Sequence, residues 1–220
     1  MKELFERTVN LVRYRVKPIW VFDAFVNESY LPYRAGAKSS NFVHQRATII
    51  QKITDVNSCA KELLRLMGIP GLVAPGPAEP YCAKLCKLHK ADFMACETMD
   101  AFVFPPERLL IGLHSKWVRE IYEIRTQDVF QKLEISKSQM QDICILYEFT
   151  AGGHGIEGLT ATRVYKLIKE HGEIGCIIKQ GCISDPRVNE LNYKGKRELN
   201  ANVAALGNMV EGTVNLFKSY

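Results

Sequence analysis

Ile19-Trp20-Val21-Phe22-Asp23 is a short apolar run that stops on an acid. Four consecutive large apolar residues after Pro18 read as a fully buried strand, since a half-exposed strand would alternate. Upstream, Glu3 to Arg15 has helical periodicity, with Leu4, Val9, Leu11 and Val12 as its apolar candidates. Downstream, Pro32, Gly36 and Lys38-Ser39-Ser40-Asn41 mark residues 24–41 as irregular. Ala47 to Met67 then reads as a long amphipathic helix, with Ile49, Ile50, Ile53, Cys59, Leu63, Leu64 and Met67 on its apolar side. Gly68 and Pro70 stop it. A second strand at Gly71–Ala74 follows, then the turn Pro75-Gly76-Pro77, a helix over Ala78–Leu88 and a third strand at Phe93–Cys96. That strand runs into Glu97-Thr98-Met99-Asp100.

Strands alternating with helices predict an α/β fold with a mainly parallel sheet and flanking helices. Reactive groups in such sheets lie beyond the carboxyl ends of the strands, where Asp23 and Asp100 fall. Further on, Gln127–Leu146 is helical material. Ala151-Gly152-Gly153-His154-Gly155-Ile156-Glu157-Gly158 is a tight glycine-rich turn, and Leu159–Glu170 is a helix behind it. Periodicity weakens from residue 172.

The bulk composition sets outer bounds. The 220 residues are 47% hydrophobic and 24% charged, which suits a soluble globular protein with a sizeable core. No apolar run is long enough to span a membrane, and Met1–Arg7 lacks the features of a secretory leader, so a cytosolic or nuclear address is expected. A net charge of +5 permits nucleic-acid binding without demanding it. The positive excess is densest early, at Arg7, Arg13, Arg15, Lys17, Arg34, Lys38 and Arg46, although a charge run is usually just a solvated face. The seven cysteines read as reduced core thiols. Cys82 and Cys86 have helical spacing but no second Cys or His pair beside them, which argues against zinc.

Phosphodiester hydrolysis with two metal ions needs several carboxylates on one surface, holding two Mg²⁺ roughly 3.5–4 Å apart. Mg²⁺ takes oxygen ligands, so acids at strand ends are the expected donors. The candidates are Asp23, Glu79, Glu97, Asp100 and Glu148. Taken singly, a strand-end acid is more often a turn former or a helix cap.

The wording around these acids carries a resemblance. Lys17–Asp23, the stretch Leu63-Leu64-Arg65-Leu66-Met67-Gly68-Ile69-Pro70 with Ala74-Pro75 and Ala78-Glu79, and Cys96–Asp100 are similar to the flap endonucleases, a family of structure-specific 5′ nucleases. Cys144-Ile145-Leu146 and the Arg163–His171 segment match that family's DNA-holding part, so the resemblance runs with gaps from Met1 to about Ile178.

The resemblance implies a nuclease-like α/β core over residues 1–125, with a shortened arch at 24–46. A helix-hairpin-helix DNA-binding region follows at 126–178, and 179–220 is a tail. It also implies that the family's first strand, with its metal-binding Asp, is missing. Pro77 and Thr98 stand where family acids are expected, and Glu148-Phe149-Thr150 replaces a Gly-Ser-Asp motif. Asp23, Glu79 and Asp100 stay in register, with Glu97 beside them. Three carboxylates offset only three of the four charges of two Mg²⁺, so one weakly held Mg²⁺ is the expected cofactor and catalysis is expected to be lost.

In the arch, Tyr30 and Ala37 fall near the family's phosphate-contacting cations, with Arg34 and Lys38 as nearby substitutes. The family's hairpin implies K⁺ and a DNA phosphate at Gly158, with Arg163, Lys166 and Lys169 along the next helix. Glu211–Lys218 is a weak copy of a sliding-clamp peptide, with Val214 as anchor and Phe217 as aromatic. The resemblance thus implies a nuclear protein of DNA replication or repair, a non-catalytic binder of branched or double-stranded DNA. The alternative is an active Mg²⁺-dependent 5′-flap endonuclease or 5′–3′ exonuclease with rearranged acids. A third reading, a decaying gene copy, follows from the sheet edge that a missing strand leaves uncovered.

Overall fold

The computed structural model describes residues 1–23, 42–75, 77–98, 100–113, 120–149, 159–185 and 188, with backbone only for 42–53, 100, 148 and 149. The chain divides into two compact units, Met1–Ala78 and Glu79–Tyr220.

The first unit opens with α1 (Lys2–Arg13), which buries Thr8 and half-buries Leu4 and Leu11 on one face. Thr8 Oγ1 donates back to the Leu4 carbonyl at 2.7 Å, so its hydroxyl enters the interior already satisfied. Then come β1 (Trp20–Phe22), α2 (Phe42–Leu66) and β2 (Gly71–Val73). The two strands pair in parallel, Trp20 opposite Gly71 and Phe22 opposite Val73. Parallel strands need a long crossover, and α2 is that crossover. It seals the pair with Ala60 and Leu64, both buried.

Both described helices of this unit end in the same six-residue motif. After α2, the Gly68 N–H reaches the Arg65 carbonyl and the Ile69 N–H reaches Leu64. After α1, Arg15 donates to Val12 and Val16 to Leu11. The motif needs a left-handed residue: Gly68 adopts φ 68°, and Arg15 adopts φ 61°. For a residue with a Cβ that conformation costs roughly 1–2 kcal/mol.

The second unit holds α3 (Ala78–Lys87, its first residue being the last of the first unit), β3 (Met94–Ala95), α4 (Asp100–Val103), β4 (Arg108–Ile111) and β5 (Tyr122–Arg125). It continues with α5 (Thr126–Leu133), α6 (Lys137–Phe149), α7 (Ala161–His171) and α8 (Ile174–Lys179). β3 pairs with β4 in parallel, and β5 adds antiparallel to β4 with Leu109 opposite Ile124. Arg108 clasps Glu123 with two hydrogen bonds of 2.7 and 3.0 Å and lies over the Phe93 ring.

The core of this unit gathers Met94, Leu109, Ile143, Leu146, Val164, Ile168, Ile174 and Ile177, all buried. The three strands expected from the apolar runs are present, in a mixed α/β arrangement. β4 and β5 are additions to the expected set. The single helical stretch expected over 127–146 is two helices. Ser136 divides them by capping α6: its Oγ accepts from the Gln139 N–H, and Gln139 Oε1 accepts from the Ser136 N–H. Residues 42–46, expected within the arch, are the first turn of α2.

Candidate functional site

In the first unit, Asp23 stands one residue beyond the end of β1, as the pattern predicted. Its Oδ1 accepts from the Ala78 N–H at 2.7 Å. That amide belongs to Ala78, the last residue of the first unit. The side chain is exposed, and Ala78 immediately precedes Glu79 in the chain.

In the second unit, Glu79 lies half-buried in the first turn of α3. Glu97 follows β3 by two residues, and its two carboxylate oxygens share the Gly112 N–H, at 2.9 and 3.0 Å. Gly112 has φ 92°, a conformation suited to glycine, at the end of β4. Glu97 is therefore built into the closure between the ends of β3 and β4. Thr98, in a position where the resemblance expects an acid, has its hydroxyl 3.3 Å from Cys96 Sγ. Asp100 begins α4, and its side chain lies outside the described residues, as does that of Glu148. Among the described residues, no three Asp, Glu, His or Cys side chains gather at metal-holding distance.

A Mg²⁺ pair needs more oxygen donors than this set offers. Asp23 and Glu97 already accept backbone amides, and Thr98 brings a neutral hydroxyl instead of a carboxylate. Among the described side chains, no set fits a two-ion centre.

The segment expected to hold DNA is well ordered on its described side. Thr160 caps α7 by accepting from the Arg163 N–H at 3.3 Å. Val164 and Ile168 bury one face of α7, which leaves Arg163 and Lys166 exposed on another. Lys169 has an internal partner: its Nζ donates to the Glu134 carbonyl and carboxylate, both at 3.0 Å. Tyr165 donates to the Leu133 carbonyl at 2.9 Å, so α7 satisfies two carbonyls at the end of α5. Gly158, Arg34, Lys38, Val214 and Phe217 lie outside the described residues.

Sequence reasoning passed over Asp142. This fully buried acid in α6 accepts the Ile174 N–H on Oδ2 at 3.2 Å, capping α8 from a neighbouring helix. No local pattern signals a cap supplied from 32 residues away. Cys86, expected from the sequence to be a reduced core thiol, is buried. Burial first, then nearby Asp92, pushes its thiol up to about 11, which marks an inert core group. Among the described residues, no helix is long and apolar enough to cross a membrane.

Comparison with known proteins matches this arrangement to one family. Residues 68–152 match the XPG I-region model. Flap endonuclease 1-1 of Paramecium tetraurelia is 35% identical over 198 residues, covering 80% of this chain and 49% of the relative. Flap endonuclease 1-A of Sorghum bicolor is 32% identical over 81% of this chain and 52% of its own length. The chain thus spans about half the length of the curated relatives it matches. Among solved structures, flap endonuclease-1 from Methanococcus jannaschii superposes with a TM-score of 0.61 at 22% identity, covering 77% of this chain and 59% of that one. The catalytic core of Rad2, solved in complex with DNA substrate, gives a TM-score of 0.62 at 20% identity, covering 96% and 67%. By sequence over four-fifths of its length this chain is similar to the flap endonucleases, it shares their fold, and its residues 68–152 match the XPG I-region.

Proposed function

We propose that this chain binds branched or double-stranded DNA in replication or repair without cleaving it. The observation that carries the reading is the engagement of Glu97. It is the acid best placed by sequence to replace a lost metal ligand, and both its oxygens hold the Gly112 amide instead. The acids kept in register are Asp23, Glu79 and Asp100, and since Asp23 also holds a backbone amide they suit at most one weakly held Mg²⁺.

On the binding side, residues 126–178 act as a helix-hairpin-helix region. Gly158 brings backbone amides close to a phosphate and to K⁺, and Arg163 and Lys166 on α7 meet neighbouring phosphates. Lys169 would have to leave Glu134 to join them. Arg34 and Lys38 supply further backbone contacts from the reduced arch. The Rad2 core supports this reading by its DNA-bound state and its shared fold. The address is nuclear, and Val214 with Phe217 makes a weak sliding-clamp contact.

The second reading, an active Mg²⁺-dependent 5′-flap nuclease, draws on the three acids kept in register. Incubating a labelled 5′-flap DNA with Mg²⁺ or Mn²⁺, with Asp100→Ala as control and a gel shift alongside, separates the two. The expected result is a shifted band and an intact substrate. Cleavage that disappears in Asp100→Ala would reverse the conclusion in favour of the enzyme.

A further inference from the structure

We infer that the corner joining α1 to β1 is a second nucleic-acid surface, built to hold the single-stranded arm of a branched DNA. The inference rests on the DNA-binding reading and deepens it. From Arg7 to Phe22 the chain contains no Asp or Glu. Within that stretch Arg13, Tyr14, Arg15, Val16 and Lys17 are consecutive and all exposed, Tyr14 at 82%. Among the described residues, Arg13, Arg15 and Lys17 enter no ion pair. Arg7, by contrast, is held by Glu3 one turn away.

The backbone adds a second observation. Arg15 occupies the left-handed position that closes α1, where glycine is the residue of least cost. The same position after α2 is Gly68. A cation stands where a glycine would fold more easily. Strain retained at an exposed, partnerless residue points to a use outside folding. The ordinary account, favourable interaction of cations with a helix end, covers Arg13 in the last turn, but it does not explain a strained Arg15 or a fully displayed Tyr14.

Charge complementarity selects a polyanion, and an exposed aromatic residue between two arginines in the sequence selects one that carries bases. A ring of this kind stacks on any base while the flanking cations track successive phosphates. In a duplex the bases are already stacked, so the unpaired arm is the better occupant.

Anisotropy of the full chain with a labelled oligothymidine, and with a duplex of equal length, across a range of salt, tests this. Tyr14→Ala should weaken oligothymidine binding on the order of tenfold and leave the duplex nearly unaffected. Replacing Arg13 and Lys17 by Gln and Arg15 by Gly should lower the salt slope for the oligothymidine by about 2. Arg15→Gly alone should raise the thermal midpoint while weakening binding, a combination that a purely structural role cannot give. The inference is overturned if Arg15→Gly stabilises the chain with affinity and slope unchanged. It is overturned equally if Tyr14→Ala has no effect and polyglutamate competes as well as the oligonucleotide. Duplex binding without single-strand binding by the unaltered chain would sink this inference alone, whereas binding to neither would sink the DNA-binding reading with it.

Discussion

The described parts of the two units bury their apolar side chains to very different degrees. In the second, Leu109, Leu146, Val164, Ile168, Ile174 and Ile177 are sealed from solvent, and the large apolar residues left exposed are Ile121, Tyr122 and Tyr147. Among the described residues of the first, Leu64 is the large apolar residue wholly sealed, while Met1, Phe5, Val12, Tyr14, Val16, Val56, Leu66 and Val73 are exposed. Since burial of apolar area is the dominant favourable term, the two units should differ in resistance to opening. The difference teaches where each kind of residue counts: packing dominates the second unit, and backbone geometry with surface chemistry dominates the first.

The largest expected effect tests the packed side. Leu146→Ala, at a fully buried position, should cost about 3 kcal/mol, read as a drop in the urea midpoint. A similar loss from Val56→Ala, an exposed position in the first unit, would erase the contrast. Next comes the buried cap. Asp142→Ala leaves the Ile174 amide without this acceptor and should cost about 1–3 kcal/mol, with early hydrogen exchange over α8. An unaltered exchange rate there would show that α8 does not depend on it.

The two helix ends give an opposed pair. Gly68→Ala should destabilise by roughly 1–2 kcal/mol, while Arg15→Gly should not destabilise at all. Loss of stability in both would mean that Arg15 makes a structural contribution beyond its backbone.

The smallest effects are ionic. Cys86 keeps its proton to about 11 when folded, against 9.0 ordinarily, so it favours the folded state below the lower value. That contribution is lost as pH climbs through the folded value, and thiol labelling should show Cys86 reacting far more slowly than exposed Cys59. Glu123 is held below its usual pKa by its hydrogen bonds to Arg108. Its small, exposed contribution is present above the ordinary glutamate range and lost as pH falls through the lowered value. Glu123→Gln should flatten that part of an acid titration only slightly.

Much of this fold is legible in the residues. Ile19–Phe22 and Gly68-Ile69-Pro70 announce a strand and a helix stop, because apolar runs and glycine act locally, although the strand is half-buried and not buried as its apolar run suggests. Asp23 is legible as a strand-end acid for the same reason. The signals that failed are non-local or faint. Tyr122-Glu123-Ile124-Arg125 is a strand with polar residues on both sides of one apolar residue, and it gains its place by pairing with β4. Ser136 and Gln139 carried a readable capping box that splits the helix read over 127–146. The task given to Glu97 depends on Gly112, 15 residues on, which no spacing rule predicts. Lys169 looked like one of three cations on a helix face, yet Glu134 holds it.

The parallel pairing of β1 with β2 also sets an order of events during folding. Residues 23–70 must be spanned before Phe22 can meet Val73, whereas residues 112–121 alone separate β4 from β5. The longer closure carries an extra entropic barrier of roughly 1–1.5 kcal/mol. The β4–β5 hairpin is therefore free to form early, and β1, which ends at Phe22, reaches its partner late. On that schedule a ribosome releases the Asp23 segment long before its pairing partner emerges, so this stretch waits longest for its native contacts.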